Sequence, residues 1–167
     1  MTRRDITLKW IAYLVALAVI TIVNFHVLGR LPIAIPLLLP VTAVAVGILE
    51  GPKFGAAFGI VVGLVMASAG HKSLLFIPIL AIIAWLCGLL SEHVLRRDAV
   101  GHILSALCIM TLWALYQVLS RTATDVAAPG LLLRIAVGEW FWTILLSLPV
   151  YWVCRFCCVH YGRIYHE

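Results

Sequence analysis

Phe54-Gly55-Ala56-Ala57-Phe58-Gly59-Ile60-Val61-Val62-Gly63-Leu64-Val65-Met66-Ala67-Ser68-Ala69-Gly70 leads through His71-Lys72-Ser73 straight into a second apolar run, Leu74–Leu90. Each run approaches the roughly 20 residues that a helix needs to cross a hydrocarbon core about 30 Å thick. A joint this short makes the two helices antiparallel neighbours. Working backwards, Glu50-Gly51-Pro52-Lys53 is a charged turn and Leu31–Leu49 another apolar run. That run carries Pro32, Pro36 and Pro40, which remove backbone donors and predict a kinked or partly unwound span. Gly29-Arg30 separates it from a first run, Trp10 to about Leu28. Working forwards, the polar segment Ser91–His102 precedes a run at about 103–120, and Arg121–Gly130 is a loop before a run over Leu131–Val153. The pattern predicts an all-α polytopic membrane protein, one membrane domain over 1–167, with six transmembrane helices near 10–28, 31–49, 54–70, 74–90, 103–120 and 131–153.

Composition supports this class. Of 167 residues, 64% are apolar and 11% charged, and the mean hydropathy is +1.12. Soluble domains hold about 45–50% apolar and about 25% charged residues. A water-soluble globule of this size would expose apolar patches beyond what a monomer tolerates. The same numbers exclude disorder, whose signature is low hydrophobicity. No stretch outside the runs is long enough for a soluble catalytic or nucleic-acid-binding domain. The net charge of +5 therefore reports membrane orientation rather than nucleic acid.

With the N-terminus in the cytoplasm, the inner segments hold Arg3, Arg4, Lys9, Lys53, Arg96, Arg97, Arg155 and Arg163. The outer segments hold Arg30, Lys72, Arg121 and Arg134. This bias places both termini on the cytoplasmic side. Glu92 and Arg96, and Asp98 and His102, are each four apart, which suits a short interfacial helix between the fourth and fifth spans. The Ala16-Leu17-Ala18 cleavage-like pattern lies inside an apolar run that continues past it, so the first span is expected to be retained.

Gly55-x-x-x-Gly59-x-x-x-Gly63 puts three glycines on one helix face. A strip without side chains lets a second backbone approach closely, where dispersion and weak hydrogen bonds drive association in lipid. The strip serves either a helix of the same chain or a partner protein. Arg134 and Glu139 share one apolar run. Ionisable groups in spans are functional candidates, although a snorkelling Arg and a Glu bonded to polar groups on a neighbouring helix is the favoured reading. Five residues correspond to about 140° of helix rotation, so the two do not point the same way. Asn24 and His26 near the outer end of the first span, with Gln117 and Ser120 on the fifth, are candidates to line an outward-facing cavity.

Of the five cysteines, Cys87 and Cys108 fall in apolar runs. Cys154-x-x-Cys157-Cys158-x-His160 resembles a ligand spacing, but it has no second ligand pair and sits among Trp152, Val153, Phe156 and Val159. These are expected to be membrane-boundary cysteines without metal. Tyr151, Trp152, Tyr161 and Tyr165 read as an interfacial aromatic belt. The chain has no His-Glu-x-x-His helix, Walker-type loop or Gly-x-Ser-x-Gly elbow. Glu139 is the one acid read as membrane-embedded, and proton or ion pumps need chains of such groups. The expectation is a protein that is not an enzyme, with no catalytic residue, no cofactor and no metal.

On these residues the chain resembles the MreD family of bacterial rod-shape-determining membrane proteins. The likeness rests on the basic N-terminus and first span, the Pro-led run Ile35-Pro36-Leu37-Leu38-Leu39, the turn Glu50-Gly51 and the segment Phe54–Leu64. It also rests on Gly88-Leu89-Leu90 closing the fourth span and Leu148-Pro149-Val150-Tyr151 before a basic tail. Family members often carry an acid soon after the last Gly-Leu pair, where this chain has Ala67, so no role for that acid carries over. The resemblance implies a non-enzymatic scaffold in the bacterial cytoplasmic membrane. Its implied partners are an MreC-like membrane protein, the MreB-like filament and peptidoglycan synthases of side-wall elongation, with Gly55, Gly59 and Gly63 as contact residues. A second class is also similar: the substrate-binding subunits of energy-coupling-factor vitamin transporters. These are small six-span proteins that dock through Ala-x-x-x-Ala patterns on the first span, partly matched here by Ala12-x-x-x-Ala16. The poor supply of polar groups for holding a vitamin argues against that class.

Overall fold

A computed structural model describes residues 3–30, 36–69, 74–93, 98–123 and 129–161. Among them every regular element is helical. The order is α1 (Arg3–Ile22), a widened turn at Val23–Val27, a tight turn at Leu28–Arg30, α2 (Leu38–Glu50), α3 (Pro52–Ala69), α4 (Phe76–His93), α5 (Ala99–Ala123) and α6 (Pro129–Tyr161). Five stretches are long and apolar enough to cross a membrane: Ile6–Arg30, Pro52–Ala69, Phe76–His93, Ala99–Leu119 and Leu132–His160.

The sixth element, α2, departs from the expected 31–49 span. Its 13 residues make about 20 Å of helix, short of the roughly 30 Å core. Pro36 and the non-helical Leu37 (φ −95°, ψ 75°) delay its start to Leu38. Pro40 falls in its first turn, where a missing N–H does no harm. The first part of the expected span, 31–35, lies outside the described residues. In compensation α2 is central: it touches each of the other helices, and every residue from Val41 to Glu50 is buried.

Around α2 stand two helical hairpins, α3–α4 and α5–α6, with α1 laid against α6 and α2. The joint from α2 to α3 is one residue. Gly51 has φ 96° and ψ 177°, a conformation essentially confined to glycine. Its N–H bonds the Gly47 carbonyl at 3.0 Å, and its own carbonyl receives the Gly55 N–H at 2.9 Å. Pro52 then opens α3 at the helix position that proline suits best.

The glycine strip lies against α4. A Cβ on Gly55 would come within 2.9 Å of the Ala84 carbonyl oxygen, on Gly59 within 2.6 Å of that of Leu80, and on Gly63 within 2.6 Å of Ile77 Cα. Gly47 and Gly88 extend the seam, with Gly47 against Ala84 and Gly88 against Pro52. Backbones this close gain dispersion along the whole strip.

Other boundaries differ from the sequence reading. The helices α1, α5 and α6 run past the expected spans at one or both ends. No separate interfacial helix forms from 91–102 among the described residues: Ser91–His93 complete α4, and α5 begins at Ala99. His102, expected on that interfacial helix, is instead buried and stacked on Tyr151 with ring centroids 5.0 Å apart. Tyr151 therefore belongs to the core and not to the aromatic belt, while Trp152 is exposed.

Candidate functional site: a buried ion pair between α1 and α2

Lys9 and Tyr13 are one helical turn apart on α1 and share a face. Opposite them, Glu50 is the last residue of α2. Lys9 Nζ lies 2.6 Å from Glu50 Oε1 and 2.8 Å from Oε2, and Tyr13 Oη donates to Oε1 at 2.7 Å. Both charged side chains have zero solvent exposure. Withdrawing each ion from water costs several kcal/mol, and only close pairing with further hydrogen bonds repays it. Glu50 meets both conditions, since each carboxylate oxygen has a donor.

The walls are dense. Trp10 packs on Phe54 at 4.5 Å between centroids, and Tyr13 meets Phe58 edge-on at 5.9 Å. Cys154, Cys157 and Cys158 line the inward face of α6 and join the same core as Tyr13. Trp152, Val153, Phe156 and Val159 are exposed, and the cysteines point the other way, into the core. Among the described residues no group of three or more His, Cys, Asp or Glu is placed to hold a metal ion. The Glu92 carboxylate sits beside the Gly51 turn, 3.3 Å from where a Cβ would stand. Ser91 Oγ donates to the Gly88 carbonyl at 2.7 Å and lies 3.4 Å from that of Ile48.

The residues singled out from the sequence occupy other places. Gln117 Nε2 donates to Glu139 Oε2 at 3.2 Å, tying α5 to α6. Asn24 is buried, whereas His26 and Arg134 are exposed. Gln117 and Glu139 thus meet across the α5–α6 hairpin, while Asn24 and His26 lie in the widened turn that follows α1. The side chain of Ser120 lies outside the described residues. Thr143 Oγ1, on the α6 turn after Glu139, accepts the Leu37 N–H at 2.9 Å and so caps the irregular entry to α2.

The sequence reading missed Lys9 and Glu50, counting the first as a flanking positive charge and the second as part of a turn. A signal was present. Consecutive antiparallel helices bring the start of the first and the end of the second to the same level, so two opposite charges there are brought together by construction.

Fold and interior together define a helical, multi-pass membrane protein whose most buried charges serve one another. Compared with protein-family models, curated proteins and solved structures, the chain gives no match.

Proposed function

We propose that this chain is a non-enzymatic scaffold of the bacterial cytoplasmic membrane. In this reading it has six spans, both termini are cytoplasmic, and it acts in cell-wall elongation and cell shape through an MreC-like partner. The observation that supports the reading best is how the interior uses its polar groups. The Glu50 carboxylate is saturated by Lys9 and Tyr13, and the conformationally freest residues form a backbone seam between α3 and α4. Both features hold a shape. The charge bias of the loops supports the orientation, and α2 with its proline-led entry supplies the sixth crossing.

The vitamin-transporter alternative has less support. Ala12 and Ala16 are partly buried and pack against the core, so that pattern already serves a contact within the chain. Depletion in the host tests the scaffold reading. Cells should widen or round, and affinity capture of the full chain should recover an MreC-like protein. Normal rods with no such partner reject it. A melting curve that shifts with a vitamin would instead favour the transporter class.

A further inference from the structure

His102 lies in the first turn of α5 and has zero solvent exposure. Its backbone N–H donates to the Asp98 carbonyl at 3.1 Å, at the very start of the helix. Its ring is stacked on that of Tyr151 from α6, with 5.0 Å between centroids and 25° between planes. Neither ring nitrogen has a hydrogen-bond partner, and the ring passes the Ser147 carbonyl without hydrogen-bond geometry.

No anion faces the imidazole. On its own helix, Ser105 one turn further on is buried with its hydroxyl also unpaired. Asp98, one turn before, is exposed and makes no ion pair with His102 among the described residues. From α6 come Tyr151 and Ser147, whose Oγ donates to the Ile144 carbonyl at 2.7 Å. Cys154 turns into the core with Tyr13, and Arg155 reaches toward Tyr151 from an exposed position. From α2 the one ionisable side chain is Glu50, which Lys9 and Tyr13 engage. On α4, Cys87 packs with Val44 and Ile48 of α2, and Glu92 and His93 are exposed.

An imidazolium here is a buried cation without a counter-ion, placed at the positive end of a helix dipole. Little else holds the turn in place. Its other inward residues, Ala99 and Gly101, are small, and Val100 is 74% exposed. Glycine also weakens the helix locally. Water is close, since the exposed Asp98 is one turn, about 5–6 Å, away along the axis.

We propose that the first turn of α5 is an acid-released latch: neutral His102 docks it on Tyr151, and uptake of one proton by the imidazole frees the turn and with it the α5 end of the α4–α5 connection. The proton comes from water and stays on the released ring, so docking holds at neutral pH and is lost as pH falls. The latch is independent of the scaffold reading, since it requires only the α5–α6 packing.

The test follows hydrogen exchange by mass spectrometry for the full chain in phosphatidylcholine vesicles, with labelling times scaled for the intrinsic pH dependence of exchange. A docked form closed to protons and a released imidazole titrating near 6.5 give a loss of protection over 98–105 of roughly thirtyfold between about pH 7.5 and about pH 5. Peptides within Phe76–Ser91 of α4 should keep their protection over the same range. His102→Phe keeps a ring on Tyr151 but binds no proton, so its protection over 98–105 should be flat with pH. His102→Gln serves the same purpose if the first variant fails to assemble. Constant protection over 98–105 in the parent overturns the proposal. So does an equal loss in the His102 variants, which would assign the effect to another group such as Asp98. Loss of protection along the whole chain at once would mean acid unfolding and overturns it as well.

Discussion

Replacing Lys9 with Met removes the charge but keeps an unbranched apolar stem, so it isolates the role of the ion pair. At the observed separations near 2.6–2.8 Å, an effective dielectric of about 20 gives an attraction of roughly 6 kcal/mol. Desolvation of two ions offsets most of that. The net contribution of the pair is therefore small, while the cost of orphaning one member is large. Lys9→Met leaves Glu50 charged and enclosed, with Tyr13 as its remaining donor, and should cost about 3–5 kcal/mol. For a chain of this size that corresponds to a fall of about 6–20 °C in Tm. Glu50→Gln orphans the lysine and should cost a similar amount. The double variant Lys9→Met/Glu50→Gln has no buried charge and still offers Tyr13 an acceptor, so it should recover to within about 2 kcal/mol of the parent. The assay is reversible unfolding in mixed micelles with rising dodecyl sulfate, followed by circular dichroism for all four proteins. Single effects that add to within about 0.5 kcal/mol in the double variant would mean that the two residues are uncoupled, and the clamp would have no energetic content.

Gly59→Leu drives a side chain into the Leu80 carbonyl and Ala81 Cα and should destabilise by more than about 3 kcal/mol. Gly130→Ala, whose Cβ meets nothing within 4 Å, should stay within about 0.5 kcal/mol in the same unfolding assay. Gly51→Ala forces a Cβ into a glycine conformation beside Glu92 and should cost about 1–3 kcal/mol by the same measurement. Thr143→Val removes the acceptor for the Leu37 amide. It should cost about 1–3 kcal/mol and speed hydrogen exchange at Leu37, read by mass spectrometry. Glu139→Gln keeps a carbonyl acceptor for Gln117 at a partly exposed site and should change stability by less than about 1 kcal/mol; a larger loss would give that carboxylate a role beyond the α5–α6 contact.

Much of this architecture was legible in the sequence because lipid simplifies the code. Continuous apolar runs bounded by Gly and charge gave the long helices, and the four-residue glycine spacing marked a close-approach face. The structure adds that its occupant is α4, which spacing alone does not specify. The prolines of the second run foretold an irregular entry, but not that α2 would start as late as Leu38. Residues at the ends of runs were harder to read. Lys9 and Glu50 looked like solvent-facing punctuation because each was weighed on its own segment, whereas their environment is set by the alignment of two segments. Cys154, Cys157 and Cys158 were placed by their lipid-facing neighbours, but on a helix adjacent residues point in different directions. Which polar groups meet was hidden for a related reason: depth in the membrane is written in the sequence, and azimuth around the bundle is not.

The Leu37 amide finds its acceptor on Thr143, 106 residues downstream. At ordinary translation speeds that hydroxyl leaves the ribosome roughly 5–20 s after the amide it serves. Throughout that interval the head of the central helix sits in or near the bilayer with a donor unanswered by its own chain. The centre of the molecule is therefore completed from its C-terminal end, and a nascent chain arrested before Thr143 should insert its early helices yet leave the middle one unsettled.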